Sequence, residues 1–307
     1  MAYEPLHHKY RPQRFDQLVG QEAIAATLSQ ALQRGRIAPA YLFSGPRGTG
    51  KTSSARILAR SLNCLSSEGP TAEPCGHCEL CTAIAAGGAL DVIEIDAASN
   101  TGVDNIRDLI ERSRFAPVQA RWKVYVVDEC HMLSTAAFNA LLKTLEEPGH
   151  GLLILLTASP ERLLSTIRSR CQLIRFLRLD SAAMHQVLER CGALAEDSPE
   201  LLALAAGSPG ALLDHRQRWS ALPEDLTQRL KQRPDQPMEA LALARDLCET
   251  LDGEQQLWLI DWWQQQLWTS GAGEQPLRRL ETLRRHLLSF VQPRLAWEVA
   301  LLDLRTE

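Results

Sequence analysis

The sequence predicts an α/β protein, with a five-stranded parallel sheet in residues 1–178 and helices alone after that. From residue 40 onward, short apolar runs alternate with amphipathic helical segments, which is typical of a parallel sheet covered on both faces. We expect the five strands at Ala40–Phe43, Val92–Ile95, Lys123–Val127, Leu152–Leu156 and Leu173–Leu177. Beyond residue 179 no further strand-like run follows, and Leu, Ala, Gln and Arg dominate.

Helix-ending residues and glycine or proline clusters divide the chain. Between the third and fourth strands, Ser134–Glu147 is expected to form a helix that Ser134 caps and Pro148-Gly149 ends. Later breaks fall at 207–210, 233–237 and 271–273. We therefore predict three domains, over residues 1–178, 179–235 and 236–307, of which the second is small and the last two are all-helical.

The composition is that of an ordinary globular protein. Of 307 residues, 45% are hydrophobic and 23% charged, and the formal net charge is -4. This balance argues against a protein that coats nucleic acid through bulk positive charge, although a local basic face stays compatible with it. The chain start lacks a basic segment followed by an apolar core, and no window holds about 18 consecutive apolar residues. We expect a cytoplasmic protein that does not contact a membrane.

Residues 45–52 match the complete phosphate-loop pattern G-x-x-x-x-G-K-[ST]. The match lies between an apolar strand and an amphipathic helix, the context in which such a loop binds a nucleoside triphosphate; a chance match in a glycine-rich loop is the alternative. Lys51 is expected to reach the β- and γ-phosphates of ATP, and the Thr52 hydroxyl to ligate Mg²⁺. The nucleotide-binding loop comprises Gly45, Pro46, Arg47, Gly48, Thr49, Gly50, Lys51 and Thr52.

A strand that ends in two carboxylates is the expected second half of this site. The apolar run Val124–Val127 is followed by Asp128 and Glu129. In a phosphate-loop ATPase the first carboxylate holds Mg²⁺, and the second orients and deprotonates the attacking water. A solvated pair at a strand end would look the same in isolation, but the complete phosphate loop upstream favours the catalytic interpretation.

Four of the eight cysteines lie close together, as Cys64, Cys75, Cys78 and Cys81. The spacing C-x10-C-x2-C-x2-C offers four thiolates for one tetrahedral Zn²⁺. Four protein ligands leave no position for a water molecule, so the predicted site is structural. His77 could replace one ligand, and a redox dithiol or unrelated buried thiols are alternative interpretations.

Four tryptophans crowd residues 258–268. Trp258 and Trp262 share one helix face at i, i+4. The segment is either a patch for a partner or a site of helix packing, and we favour packing for most of these rings.

Further segments accompany these motifs, namely Tyr10–Pro12, Phe15–Glu22, Glu94–Asn100, Asp128–Met132 and Ser169–Cys171. With the phosphate loop and the cysteine cluster they resemble the gamma/tau subunit of the bacterial DNA polymerase III clamp loader. Members of that family are AAA+ ATPases that open a ring-shaped sliding clamp and place it on primed DNA. The resemblance is dense from residue 3 to about 148, and the cysteine insertion is its most discriminating feature.

The resemblance implies roles for residues that the motifs alone do not assign. Arg170 would act in trans on the γ-phosphate held by a neighbouring subunit. Thr157, at the end of the fourth strand, would be the sensor-1 residue. The segment near the adenine would comprise Tyr10, Arg11, Pro12, Val19 and Gly20. The implied partners are the other subunits of a pentameric loader, the sliding clamp and primed DNA.

Past residue 148 the chain is closer to the delta-prime subunit, the stator of the same loader. The segments that carry this likeness are Gly151–Leu164, Thr166–Gln172 and Gln292–Glu298. The two helical domains would then be the lid and the oligomerisation collar. A divergent natural subunit, a hybrid of the two paralogues and a mixed gene model all fit this pattern.

One position departs from the gamma/tau pattern. Gly210 stands where that pattern has the sensor-2 arginine, so we expect weaker coupling between bound nucleotide and lid closure. Arg216 and Arg218 follow in the same segment and could compensate.

Two functions fit these sequence features best. Lys51, Thr52, Asp128 and Glu129 favour an ATP-hydrolysing motor subunit. Gly210 and the delta-prime-like second half favour a non-hydrolysing stator that donates an arginine and scaffolds the loader. A protein-remodelling AAA+ role ranks lower. The holoenzyme's DNA polymerase activity is not supported, because no carboxylate pair beyond the ATPase set is evident.

Overall fold

The computed structural model describes residues 11–99, 106, 111, 115–146, 151–231, 234, 236–289 and 291–304. The chain forms two compact units. The first holds the chain up to Leu194 together with Gly207–Pro209, and the second holds Ala195–Ala206 together with the chain from Gly210 onward. The domain boundaries expected at residues 178 and 235 stay predictions.

A five-stranded parallel sheet lies at the centre of the first unit, as the sequence predicts. Its strands are β1 Ala40–Ser44, β2 Val92–Asp96, β3 Lys123–Asp128, β4 Gly151–Thr157 and β5 Gln172–Arg175. They lie in the order β2-β3-β4-β1-β5, and every neighbouring pair is parallel. Because all strands run the same way, the residues that follow β1, β3 and β4 meet at one edge of the sheet.

The last strand ends earlier than the apolar run suggests, because β5 stops at Arg175 while the prediction extends to Leu177. The N–H of Phe176 still donates to the Ser44 carbonyl at 2.7 Å. The backbone of Leu177, however, exchanges hydrogen bonds with the side-chain amide of Gln21, at 2.7 and 3.3 Å. The Gln21 side chain therefore takes the place of a neighbouring strand.

Helices cover both faces of the sheet. The helices of the first unit whose two ends lie among the described residues are α1 Glu22–Gln33, α2 Lys51–Asn63, α3 Glu79–Ala86, α4 Thr135–Glu146, α5 Ser165–Arg168 and α6 Ser181–Arg190. On β1, Phe43 packs in the core that α1, α2 and α3 share, and Leu42 packs in the opposite core with α4 and α5. Successive strand side chains point to opposite faces, so an unbroken apolar run is what two covered faces require.

The helix expected over Ser134–Glu147 is α4, and its start is capped as predicted. The Ser134 hydroxyl accepts a hydrogen bond from the Ala137 N–H at 3.3 Å. Phe138 and Leu141 are buried in the core under the sheet. The expected stop at Pro148-Gly149 lies outside the described residues.

Beyond Leu194 every described element is a helix, as expected. These helices are α7 Pro199–Ala205, α8 Pro209–Ser220, α9 Glu224–Lys231, α10 Pro237–Thr250, α11 Gly253–Thr269, α12 Glu274–Leu288 and α13 Pro293–Leu304. Among the described residues, no helix combines the length and the apolar character that crossing a membrane requires.

The tryptophans of α11 pack inside the second unit, with one exception. Trp258, Trp262 and Trp263 are buried, and the Trp262 ring lies 4.7 Å from the ring of Trp219. Trp268 is 71% exposed. The packing interpretation is confirmed for three of the four rings.

Candidate nucleotide and metal sites

The loop between β1 and α2 takes a backbone course that only glycine adopts without strain. The φ angles of Gly45, Gly48 and Gly50 are 146°, 73° and 99°. A Cβ on Gly45 would lie 2.3 Å from the carbonyl oxygen of Phe176, so a side chain has no room there. The sequence pattern of glycines therefore corresponds to the backbone geometry of a phosphate loop.

Lys51, the first residue of α2, lies inside this loop and is only 7% exposed. Its Nζ donates to the carbonyls of Gly45 and Pro46 at 2.7 and 2.6 Å. Burial lowers the pKa of Lys51, and the carboxylates of Glu129 and Asp128 act in the opposite direction. The ammonium group is thus positioned by the loop where a phosphate would need it.

Thr52 and Asp128 join the two sequence motifs into one site. The Thr52 hydroxyl donates to Oδ2 of Asp128 at 2.9 Å. The strands β1 and β3 are not neighbours, since β4 lies between them. A hydroxyl and a carboxylate oxygen side by side are hard oxygen ligands of the kind that Mg²⁺ prefers.

Glu129 adopts an unusual backbone conformation directly after β3. Its φ and ψ angles are 46° and 41°, in the left-handed region. Such a conformation costs about 1–3 kcal/mol for a residue with a side chain and is found mostly at functional sites. Its Oε1 accepts from Arg47 Nε at 2.6 Å, which ties the carboxylate to the phosphate loop.

Thr157 lies at the end of β4, fully buried, in register with Ser44 of β1. Its hydroxyl oxygen accepts a hydrogen bond from the Ser159 N–H at 3.0 Å. The same oxygen lies 3.1 Å from Nδ1 of His131, which itself is 3.4 Å from Oε2 of Glu129. The sequence motifs assign no role to His131, although its spacing two residues after Glu129 was a usable signal.

The expected adenine-binding residues are distributed as follows. Tyr10 lies outside the described residues. Leu18, beside Val19, lies 3.9 Å from where a Cβ on Gly50 would stand, so this segment adjoins the phosphate loop. Gly20 has a φ angle of 69°, and a Cβ there would come within 2.5 Å of Leu179.

Arg11 and Pro12 are the other two members of that set. Both are half-buried. Burial and the neighbouring Arg56 lower the pKa of Arg11, while Glu94 and Asp128 raise it, so Arg11 lies within electrostatic reach of the strand-end carboxylate. Contact of these residues with adenine stays a prediction.

The four clustered cysteines come together in space. The Sγ atoms of Cys64, Cys75, Cys78 and Cys81 all lie within 4.8 Å of one another. Four thiolates bound at about 2.3 Å to a tetrahedral Zn²⁺ would stand roughly 3.8 Å apart, so modest adjustment closes the site.

The backbone around these thiols is arranged for thiolates. The N–H groups of Cys75 and Cys78 each point at the sulfur of the preceding cysteine in the cluster, at 3.3 Å. A hydrogen bond from Ser66, followed by backbone donors, lowers the pKa of Cys75 to about 5. Burial and the neighbouring thiols Cys78 and Cys64 instead raise the pKa of Cys81. A bound Zn²⁺ would favour the thiolate form of all four ligands, and four sulfurs at this spacing fit a zinc ion.

Three arginines that the sequence analysis singled out, Arg170, Arg216 and Arg218, have partners within their own unit. Arg170, between α5 and β5, donates to the Glu146 carboxylate at 2.7 Å and to the Thr166 carbonyl at 3.0 Å. In the second unit, Arg216 pairs with Asp197, and Arg218 pairs with Asp214 and Glu254.

The sheet order, the phosphate loop and the carboxylates at the end of β3 define the class of protein as an AAA+-type P-loop nucleotide-binding protein. The chain belongs to the family described as DNA polymerase III, delta subunit, whose model matches residues 20–180, more than half of the chain. A second family model, of the C-terminal domain of cyanobacterial DNA polymerase III delta prime, matches residues 182–304.

Curated relatives carry the gamma/tau name. The chain is 53% identical over 213 residues to the DNA polymerase III subunit gamma/tau of Mycobacterium tuberculosis, covering 66% of this chain and 36% of that protein. It is 54% identical over 185 residues to the tau subunit of Bacillus subtilis, covering 60% and 32%. The chain thus matches about a third of the length of these relatives. The gamma/tau resemblance is confirmed, and the delta-prime character is confirmed over residues 182–304.

Among solved structures, a DNA polymerase III gamma subunit-related protein from Thermotoga maritima is similar to the chain. The TM-score is 0.51 at 18% identity, covering 93% of this chain and 98% of that one. At that identity the likeness concerns the fold alone.

Proposed function

We propose that this chain is an ATP-binding and ATP-hydrolysing subunit of a DNA polymerase III clamp loader. The hydrogen bond between Thr52 and Asp128 carries the proposal, because it unites the phosphate loop and the β3 carboxylates in one Mg²⁺-competent site. The gamma/tau names of the relatives support the choice of this loader among AAA+ proteins.

The residues of the site have separate roles in ATP hydrolysis. The loop N–H groups and Lys51 hold the phosphates of ATP. Thr52 and Asp128 hold Mg²⁺, which when bound would neutralise charge on the β- and γ-phosphates. Glu129 accepts the proton of the attacking water and aims its oxygen at the γ-phosphate. Arg170 serves the nucleotide of a neighbouring subunit.

The loader's other components are part of the proposal. The second half of the chain would assemble with other loader subunits in a pentameric ring, which its match to a delta-prime domain supports. The assembled ring would act on the sliding clamp and on primed DNA.

Zinc is proposed as the structural ion of the four-cysteine cluster. Metal analysis after purification in reductant without chelator is expected to give about one equivalent of zinc. Cys75→Ser should lower that content, whereas Cys191→Ser, outside the cluster, should not. Less than about half an equivalent in the unaltered chain would contradict the assignment.

ATP turnover by the reconstituted loader tests the proposal directly. We expect hydrolysis that rises when partners, clamp and primed DNA are present, and that Glu129→Gln abolishes without loss of ATP binding. Absence of turnover in the complete mixture, together with no effect of Glu129→Gln, rejects the motor function.

A delta-prime-like stator is the second candidate. The delta-prime family model over residues 182–304 and Gly210 at the sensor-2 position favour it. In that case this chain would bind ATP without hydrolysing it, while Arg170→Ala would still lower turnover by a neighbouring subunit. A loader in which only this chain carries Glu129→Gln separates the two candidates, since a stator would leave total turnover unchanged.

A further inference from the structure

The imidazole of His131 lies between two polar groups of the nucleotide site. Its Nδ1 is 3.1 Å from the hydroxyl oxygen of Thr157 and 3.4 Å from Oε2 of Glu129. The side chains of His131 and Glu129 are only 9% and 15% exposed, so water screens these contacts little. The ring is therefore placed to connect the end of β4 with the carboxylate after β3.

One carboxylate oxygen of Glu129 faces the His131 ring and lacks a hydrogen-bond donor among the described residues. Oε2 of Glu129 is buried, and among the described residues it has no hydrogen-bond partner. A buried carboxylate oxygen without a donor is costly, and a proton on Nδ1 of His131 would need to move only a few tenths of an ångström closer to reach normal hydrogen-bond distance. The Thr157 hydroxyl oxygen already accepts from the Ser159 N–H, and it lies 3.1 Å from the same Nδ1.

A hydrogen-bonded turn carries the ring. The left-handed backbone at Glu129 leads into a single 3₁₀ turn over Cys130–Met132. The Met132 N–H donates to the Glu129 carbonyl at 2.8 Å, and the Leu133 N–H donates to the Cys130 carbonyl at 3.1 Å. Because His131 sits in the middle of this turn, its ring is directed by the backbone conformation of Glu129.

The other carboxylate oxygen of Glu129 is held from the solvent side. Arg47 donates to Oε1 at 2.6 Å, and its own side chain is 76% exposed whereas that of Glu129 is 15% exposed. Solvent and salt screen this ion pair on the arginine side. Arg47 and His131 therefore approach different oxygens of the same carboxylate, one from solvent and one from the interior.

We propose that His131 is a positioning residue that couples Thr157 to Glu129. The Nδ1–H is shared between the Thr157 hydroxyl and the Glu129 carboxylate, so a change at Thr157 alters the orientation of Glu129 toward water. The proposal rests on the proposed ATP hydrolysis and adds to it a residue that acts through Glu129.

Two substitutions of matched shape test the role. His131→Asn keeps a polar group the same number of bonds from Cα as Nδ1, and His131→Leu has nearly the same shape as asparagine without polar atoms. We expect His131→Leu to lower kcat about ten- to a hundredfold while KM and ATP affinity stay within about twofold. His131→Asn should recover most of kcat. Equal kcat in both variants, or a loss of kcat matched by a loss of ATP affinity, overturns the proposal.

A double-mutant cycle tests the coupling to Thr157. If the two residues act through one hydrogen-bonded unit, His131→Leu should add less than about a twofold loss in a Thr157→Val background. Losses that multiply would show that the residues act separately and would contradict the proposed link.

Nitrogen NMR of the histidine rings decides the matter without turnover. The ring of His131 is assigned by its disappearance in His131→Asn, and its Nδ1 resonance should move in both Glu129→Gln and Thr157→Val. Arg168→Ala, an exposed residue on α5, serves as the control that should leave it in place. No movement in either site variant sinks the proposal, whereas a loader without turnover but with both shifts would reject only the ATPase function.

Discussion

Arg170 donates a hydrogen bond to the carboxylate of Glu146 over 2.7 Å, so the guanidinium expected to serve a neighbouring subunit is held by its own chain. The two side chains are 36% and 53% exposed. An ion pair this exposed contributes at most about 1 kcal/mol. A neighbouring γ-phosphate could therefore displace Glu146 at small cost.

The first prediction concerns the substitution of Arg170 in the assembled loader. Arg170→Ala should lower ATP turnover of the assembled loader by roughly 10³-fold or more, because a trans-acting arginine neutralises charge that develops during hydrolysis. Arg168→Ala, two residues away and exposed, is the matched control. Glu146→Gln should not lower turnover. Equal effects of Arg168→Ala and Arg170→Ala in steady-state assays would refute the role of Arg170.

The Thr52–Asp128 contact leads to a prediction about Mg²⁺. Thr52→Ser keeps the hydroxyl, whereas Thr52→Val removes it with little change in shape. The valine variant should lose about tenfold or more of the Mg²⁺-dependent part of ATP affinity, about 1.4 kcal/mol, and the serine variant should keep most of it. Titration calorimetry with and without Mg²⁺ measures this. An unaltered Mg²⁺ dependence in Thr52→Val would show that the hydroxyl is not a ligand.

Asp91 supports a pH-dependent prediction about stability. Its side chain is 2% exposed and accepts hydrogen bonds from the N–H groups of Val118, Gln119 and Ala120, at 2.7–3.1 Å. Burial alone would raise the pKa of Asp91, but these donors outweigh it, and the pKa lies below its ordinary value of 3.8. A depressed carboxyl pKa stabilises the fold above the unfolded value and loses that effect as pH falls through the folded value.

Asp91→Asn should thus lower the free energy of unfolding by about 1–3 kcal/mol at pH 7. Below a pH of about 4, the difference in unfolding free energy between the Asp91→Asn variant and the unaltered chain should become smaller. Protonation then removes the charge from Asp91 in the unaltered chain as well. Urea unfolding at both pH values measures this, with the exposed Asp16→Asn as a control expected to have little effect. A difference that is the same at both pH values would contradict the account.

The buried and the exposed tryptophans of α11 are expected to contribute very different amounts to the stability of the fold. Trp262 is 2% exposed and stacks near Trp219, so Trp262→Ala should cost about 3–5 kcal/mol of stability. Trp268→Ala, at a 71% exposed position, should change stability by less than about 0.5 kcal/mol. Thermal and urea unfolding compare them. Similar losses in both variants would mean that Trp268 is also packed.

Local patterns in the sequence predicted much of the fold and site. The apolar runs predicted all five strands and the helix α4, because a strand buried on both faces needs a continuous apolar stretch and a helix start needs a cap. The phosphate loop was equally readable, since its glycines must occupy backbone angles that other residues avoid.

Local sequence patterns did not predict the long-range side-chain contacts of the site. Arg47 and Glu129 are 82 positions apart, Thr157 and His131 are 26 apart, and Gln21 and Leu177 are 156 apart. The periodicity of a sequence indicates only which face of a helix or strand a residue occupies. It does not indicate which of the many polar and charged side chains in the chain that residue contacts. The early end of β5 at Arg175 was missed for the same reason.

The sequence by itself determined the strand-rich first half, the helical second half and the chemistry available at the strand ends, because these depend on residue type and short spacing. Only the tertiary structure decided which groups meet. The parallel order β2-β3-β4-β1-β5 brings Thr52 to Asp128 across β4, and the left-handed backbone at Glu129 sets its carboxylate between Arg47 and His131. Such long-range contacts depend on how the strands are ordered in space, and local sequence patterns do not specify that order.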